Sequence, residues 1–175
     1  MNNLFLEIVF ILVLILINGF FSMSELALIS SRKVRLEQRA EDGDKGAQSA
    51  LELLKSSSRL LSAVQIGITL VGIFTGALGG ATLAERLTLW LAEIPWLVPY
   101  AGGISIVLVV IVTTYLSLVL GELIPKRIAM NNPEKIASQV SGFMRFLSKA
   151  MSPIVRLLAA STDLGLKILG MSASK

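Results

Sequence analysis

The chain has 175 residues, 54% of them hydrophobic and only 16% charged, with a mean hydropathy of +0.75. A soluble domain carries roughly 25% charged residues, and disorder needs low hydrophobicity with high charge density; neither class fits. The apolar residues are grouped in runs long enough to cross a bilayer. With no Cys and no His, the chain has no disulfide framework, no thiolate or imidazole metal ligand and no imidazole base. A metal bound here must take oxygen ligands, which favours hard cations such as Mg²⁺, Ca²⁺ or Na⁺. The net charge of +4 does not point to nucleic acid, because the basic residues flank apolar segments instead of forming a patch interleaved with aromatics.

In chain order, Leu4 to Phe21 is apolar apart from Glu7, Asn18 and Gly19, and the pattern resumes at Leu26 to Ile29. The start Met1-Asn2-Asn3 carries no positive charge and the apolar stretch is too long for a signal peptide, so a retained first span over about residues 4–29 is expected. A polar linker follows over 30–59 with seven Lys/Arg. The second span, about 60–80, is rich in small residues. The connector from Ala81 to Gly103 has one basic residue, Arg86, and carries Trp90, Trp96 and Tyr100, which suit a membrane–water interface. The third span, about 104–124, is β-branched and closes on Lys126-Arg127; with these two, eight Lys/Arg lie beyond it. Basic loops stay cytoplasmic, so the N-terminus is expected outside and the C-terminus inside. In the tail, Arg145, Lys149, Arg156 and Lys167 are spaced by 4, 7 and 11 and share one helical stripe. The tail reads as inner-leaflet juxtamembrane helices over 133–170, interrupted near Pro153. The fold expected is an all-α membrane protein: three transmembrane helices plus cytosolic juxtamembrane amphipathic helices.

Polar groups inside spans are costly and usually functional or paired. Asn18, Ser22 and Glu25 share one face of the first span. Ser62, Gln65, Thr69, Gly72 and Gly76 repeat with the helical period in the second, and Glu122 stands one turn before Lys126 in the third, with Ser117 and Gly121 near it. Ser22, Gln65 and Glu122 fall at similar depth in the inner half of the bilayer, so their faces are expected to meet in a cavity open to the cytosol. Pro125 has no amide to donate to the carbonyl of Gly121, four positions earlier, which offers a released carbonyl beside a carboxylate. Against this, Gly72-Ile-Phe-Thr-Gly76 is a GxxxG pattern that also serves plain helix packing. A salt bridge to Arg59 or Lys126 would equally account for Glu122, and a pair with Arg32 for Glu25.

The stretches Phe21-Ser22-Met23-Ser24-Glu25-Leu26-Ala27-Leu28, Gln65 to Gly72 and Gly121-Glu122-Leu123-Ile124-Pro125-Lys126 resemble the transmembrane domain of the CorC/CNNM family, which includes bacterial haemolysin-C-like proteins. The resemblance implies a Mg²⁺ transporter, usually read as an exporter coupled to Na⁺ entry, working as a homodimer. It implies metal contacts at Ser22 and Glu122, with backbone carbonyls at Gly121 and Leu118. Many relatives carry asparagines in span two where this chain has Ile68 and Gly72, so Gln65, Ser24 or water would substitute. Gly67, Gly72, Gly76, Asn18, Glu25, Pro125 and Lys126 are expected in structural or gating roles. In the family a paired CBS module follows the membrane domain and binds ATP; the chain stops at Lys175 without one, so ATP is expected only in that missing module. A Mg²⁺-sensing scaffold that regulates other transporters needs the same site and is the competing reading. An intramembrane serine hydrolase is disfavoured, since Ser22 has no His partner and no Lys at helical spacing within a span.

Overall fold

The computed structural model describes residues 2–170, with side chains from Leu4 onward, and the chain among them is helical without strands. Helix α1 covers Asn2–Ser30, α2 Lys33–Glu41, α3 Lys45–Lys55 and α4 Ser57–Leu78. A π-helical turn, Gly79–Leu83, joins α4 to α5 (Ala84–Leu91). After a 3-10 turn, α6 spans Ala101–Leu118, a second π turn Val119–Leu123 leads into α7 (Ile124–Asn131), and α8 (Pro133–Ala150) and α9 (Ser152–Ile168) complete the chain.

Three helical stretches among the described residues are long and apolar enough to cross a membrane: Leu4–Ser30, Ser57–Leu91 and Val98–Asn131. The protein is a multi-pass membrane protein. The second and third stretches, at 35 and 34 residues, outrun the expected spans because two local breaks in hydropathy do not break the helix. Arg86, which marks the supposed connector, is neutralised by Glu7 of α1 at 3.4 Å, so the helix continues to Leu91. Pro125 falls in the first turn of α7, where a missing amide is tolerated, so the third stretch runs through it to Asn131.

The chain divides into two compact units. The first takes in α1 as far as Ala27 together with Gly67–Pro133. Its buried residues are mostly small: Ala84, Ala101, Ser105 and Gly121 let backbones approach, the usual basis of helix packing where lipid removes the hydrophobic drive between helices. Only 6% of the most apolar window of the third stretch is buried, so most of that helix's surface is left to lipid or to another chain.

The second unit comprises Leu28–Ile66 and the described residues from Glu134 on. Here α8 buries Glu134, Ala137, Ser138, Ser141, Met144, Leu147 and Ser148, a spacing of three and four that defines one face. That face meets the α2–α3 hairpin: Ser141 donates to the Gly46 carbonyl at 2.9 Å, and Glu134 accepts the Arg32 amide at 3.2 Å. The small face of α8 is thus spent on protein, while Phe146 and, on α9, Leu157 and Leu158 stay exposed. The break between α8 and α9 falls at Met151, two residues before Pro153.

Asp44 holds the hairpin together. Its side chain caps α3 by accepting from the Ala47 amide at 3.1 Å, receives the Arg39 guanidinium at 2.7 Å and accepts from the Ser138 hydroxyl at 2.7 Å. The Ser138 hydroxyl first, then Arg39 and the Ala47 amide, lower the Asp44 pKa from 3.8 to about 2. A lowered folded-state pKa gives stability that is complete above the ordinary carboxylate value and lost as pH falls through the folded one. Asp44→Ala is expected to lower the unfolding temperature at pH 7 by removing a cap worth about 1 kcal/mol together with its charged partners. The difference from the parent protein should shrink between about pH 4 and pH 2, read by thermal unfolding in detergent.

Candidate functional site

The first span meets the third at one crossing. Glycine at 19 brings the two backbones together: a Cβ built there would lie 2.9 Å from the Leu120 carbonyl oxygen and 2.9 Å from Pro125 Cγ. On the facing helix, a Cβ on Gly121 would lie 3.1 Å from Asn18 Nδ2 and 3.3 Å from the Ile15 carbonyl oxygen. Each glycine is the space the other helix fills.

The third span carries two defects at this point. In the π turn, the Ile124 amide donates to Val119, five residues back, and so not to Leu120; residue 125 is a proline with no amide to offer. The carbonyls of Leu120 and Gly121 thus lose their ordinary helical donors. Both are met by α1. Asn18 Nδ2 donates to the Gly121 carbonyl at 3.2 Å in a buried hydrogen bond, and the Leu120 carbonyl packs over Gly19. The expectation of a free Gly121 carbonyl is corrected here, since a side-chain amide from another span occupies it, as lipid-embedded backbone requires. A carbonyl oxygen has two lone pairs, so this bond leaves one acceptor direction.

Around the crossing, Asn18 is 6% exposed, Ser22 1% and Ser24 0%. The Ser24 hydroxyl donates back to Phe20 at 2.7 Å and is committed to its own helix. Among the described residues no hydrogen bond ties the Ser22 hydroxyl. Glu122, in the π turn, receives Lys126 Nζ at 3.1 Å, with about two fifths of each side chain exposed (38% and 41%). Of the two pairings foreseen for Glu122, the one with Lys126 is formed. Glu25 is half-buried and makes no ion pair among the described residues.

The remaining expected residues lie elsewhere. Gln65 belongs to the second unit and is exposed on α4. Gly67 leaves room for the Phe21 ring, whose nearest atom would lie 3.1 Å from an added Cβ. Neither Gly72 nor Gly76 has anything within 4 Å of an added Cβ; among the described residues no helix packs closely on this GxxxG. The two glycines line an open groove of about 180 Å³ with Thr75, Thr113, Ser117 and Leu118. Leu118 is 47% exposed there, directly before the π turn. Among the described residues no three acidic side chains gather where they could hold a metal ion.

Two features escaped the sequence reading. The π turns leave no hydropathy signal, although each contains glycine (Gly79 and Gly80; Gly121). The partner of Asn18, expected in a structural or gating role on the Ser22 face, is the second; the signal for it is the carbonyl that Pro125 strands.

An α-helical membrane domain with a proline-interrupted third span and an acid in the interruption defines a class, and the comparisons agree on which. The model of the cyclin M transmembrane N-terminal domain matches residues 9–175, and the chain belongs to that family, CNNM. It is 53% identical over 170 residues to the UPF0053 protein sll0260 of Synechocystis sp., covering 97% of this chain and 38% of that protein. It is 35% identical over 156 residues to the polyamine export protein of Haemophilus influenzae, covering 87% of this chain and 35% of the relative. The UPF0053 inner membrane protein YfjD of Escherichia coli is 32% identical over 155 residues, 89% of this chain and 33% of its own length. The chain thus spans little more than a third of the relatives it matches.

Asn18→Leu is expected to destabilise the protein by about 1–3 kcal/mol, the cost of leaving a buried carbonyl unpaired. Pro125→Ala restores an amide at the interruption, so the same Asn18 substitution should cost measurably less in that background. Thermal unfolding of the four proteins as a double-mutant cycle reads the coupling; strict additivity would refute the account of the crossing.

Proposed function

We propose that this chain is the membrane-embedded part of a cation transporter, with Mg²⁺ as the cargo, exported from an inward-open cavity against Na⁺ entry, in a homodimer set in the bilayer with its basic linker and tail in the cytosol. The observation that supports this reading most is the interruption of the third span. A carboxylate, Glu122, stands in a π turn next to carbonyls stripped of their helical donors, beside a first span that offers the buried Ser22 hydroxyl. With no Cys or His in the chain, oxygen is the whole donor set, as a hard cation prefers. Ser22, Gly121, Leu118 and Glu122 are the proposed contacts, with Ser24 and retained waters completing the shell. The open groove along Gly72 and Gly76 and the bare third stretch support a second copy packing against this face.

Lys126 has a part in this reading. Its ammonium on Glu122 at 3.1 Å is a resident counter-ion that an arriving cation must displace, so the empty acid is never left uncompensated at the edge of the membrane. The same contact favours a second reading of the cargo. A carboxylate that accepts a primary ammonium from its own helix has the chemistry to accept one from a polyamine, and the relatives in Haemophilus influenzae and Escherichia coli bear the name polyamine export protein.

Both readings predict that Glu122→Gln abolishes cation-dependent thermal stabilisation. Lys126→Met should lower the stabilising cation concentration about fivefold, the worth of a half-exposed ion pair of about 1 kcal/mol. Stabilisation by Mg²⁺ but not spermidine supports the first cargo, and the reverse supports the second. Flux into dye-loaded liposomes separates transport from sensing, and an unaltered cation response in Glu122→Gln removes the site.

A further inference from the structure

The second unit contains a pocket of about 400 Å³ where the end of α3 and the start of α4 face the α8–α9 junction. Four basic side chains line it, Arg59, Arg145, Lys149 and Arg156, against one acid, Glu52. Glu52 is already taken by Arg145 in an ion pair. Arg59, Lys149 and Arg156 make no ion pair among the described residues, so the pocket holds three uncompensated positive charges. Ser56, Ser148 and Ser152 contribute hydroxyls, and Ser148 is itself 6% exposed, set at the base of the cluster.

We propose that this pocket binds the phosphate group of an anion, a function separate from cation handling at Glu122. Three like charges from two helix pairs repel one another, and a folded chain keeps them converging only at a cost that an anion removes. Guanidinium forks and hydroxyl donors together match a phosphate's several acceptor oxygens. The position favours a lipid headgroup as the source. Arg59 is the third residue of the helix that carries the second span, so the pocket opens at the level where that helix enters the membrane. Beyond the junction α9 exposes Leu157 and Leu158 at 67% and 48%, apolar surface suited to the acyl side of the same boundary. A basic pocket at such a boundary is the usual receptor for anionic lipids.

The test is native mass spectrometry of the purified chain titrated with phosphatidylglycerol or phosphatidylcholine in mixed micelles, with a parallel arm in which inorganic phosphate competes. Retention of phosphatidylglycerol over phosphatidylcholine is expected, with the midpoint raised at least about tenfold in the Arg59→Gln/Arg156→Gln double variant, since each removes a charge-assisted contact. Glu52→Gln, which frees Arg145, should shift the midpoint the other way and keeps the test decisive if the double variant fails to fold. Insensitivity to millimolar phosphate assigns the site to the lipid headgroup; displacement by phosphate, lost in the double variant, assigns it to a soluble phosphate ester. Equal retention of both lipids with no phosphate response overturns the proposal, as does a phosphatidylglycerol midpoint unmoved in the double variant or in Glu52→Gln.

Discussion

Everything distinctive about the membrane-embedded unit depends on a backbone debt in the third span and its settlement by the first. A π turn followed by proline strips two successive carbonyls of their donors, and the hydrocarbon region has no water to replace them. Asn18 supplies an amide to one and Gly19 lets the other press against the α1 backbone. The register of the two helices is therefore set by polar necessity and not by fit of apolar side chains, which lipid would solvate equally well. Glu122 is held beside this crossing because it shares the π turn, and the acid's location follows from the defect.

That arrangement also bears on how the third span could move. A π turn is a single widened turn inside a helix, found frequently at functional sites. A second π turn lies in the other long helix at Gly79–Leu83, next to Thr113 and Val109 of α6. The second and third membrane-crossing stretches thus carry their irregularity where they meet a neighbour, and both use glycine to do so. The ion pair between Glu122 and Lys126 spans one helical turn, so any change in the local winding alters its geometry as well.

The second unit is organised on a different principle. In water, exposed ion pairs contribute little, and there the structure concentrates its polar bonding on one well-partnered carboxylate, Asp44, which caps α3, binds Arg39 and reaches Ser138. The face of α8 that would otherwise bind a leaflet is small and serine-rich, and it is consumed by this packing. What α8 and α9 leave outside is both apolar, as at Phe146, Leu157 and Leu158, and basic, with Arg145, Lys149 and Arg156 gathered at the helix junction.

The three spans, the helical class and the family could be read from the chain alone, because long apolar runs, proline and charge act locally and leave their mark in composition. So could the identities of the unusual groups: Asn18, Ser22, Glu122 and Pro125 each violate the chemistry of a span. Their partners could not. That Pro125 strands a carbonyl follows from covalent structure, but which atom satisfies it depends on two helices crossing 103 residues apart in sequence. The charge of Arg86 is likewise met by Glu7 arriving from α1, and Gly72 and Gly76 are left lining an open groove beside α6. Local sequence determined what each segment must bury or satisfy; only the packed helices decided with what, because hydrogen bonds and ion pairs between spans are made across space and carry no periodicity along the chain.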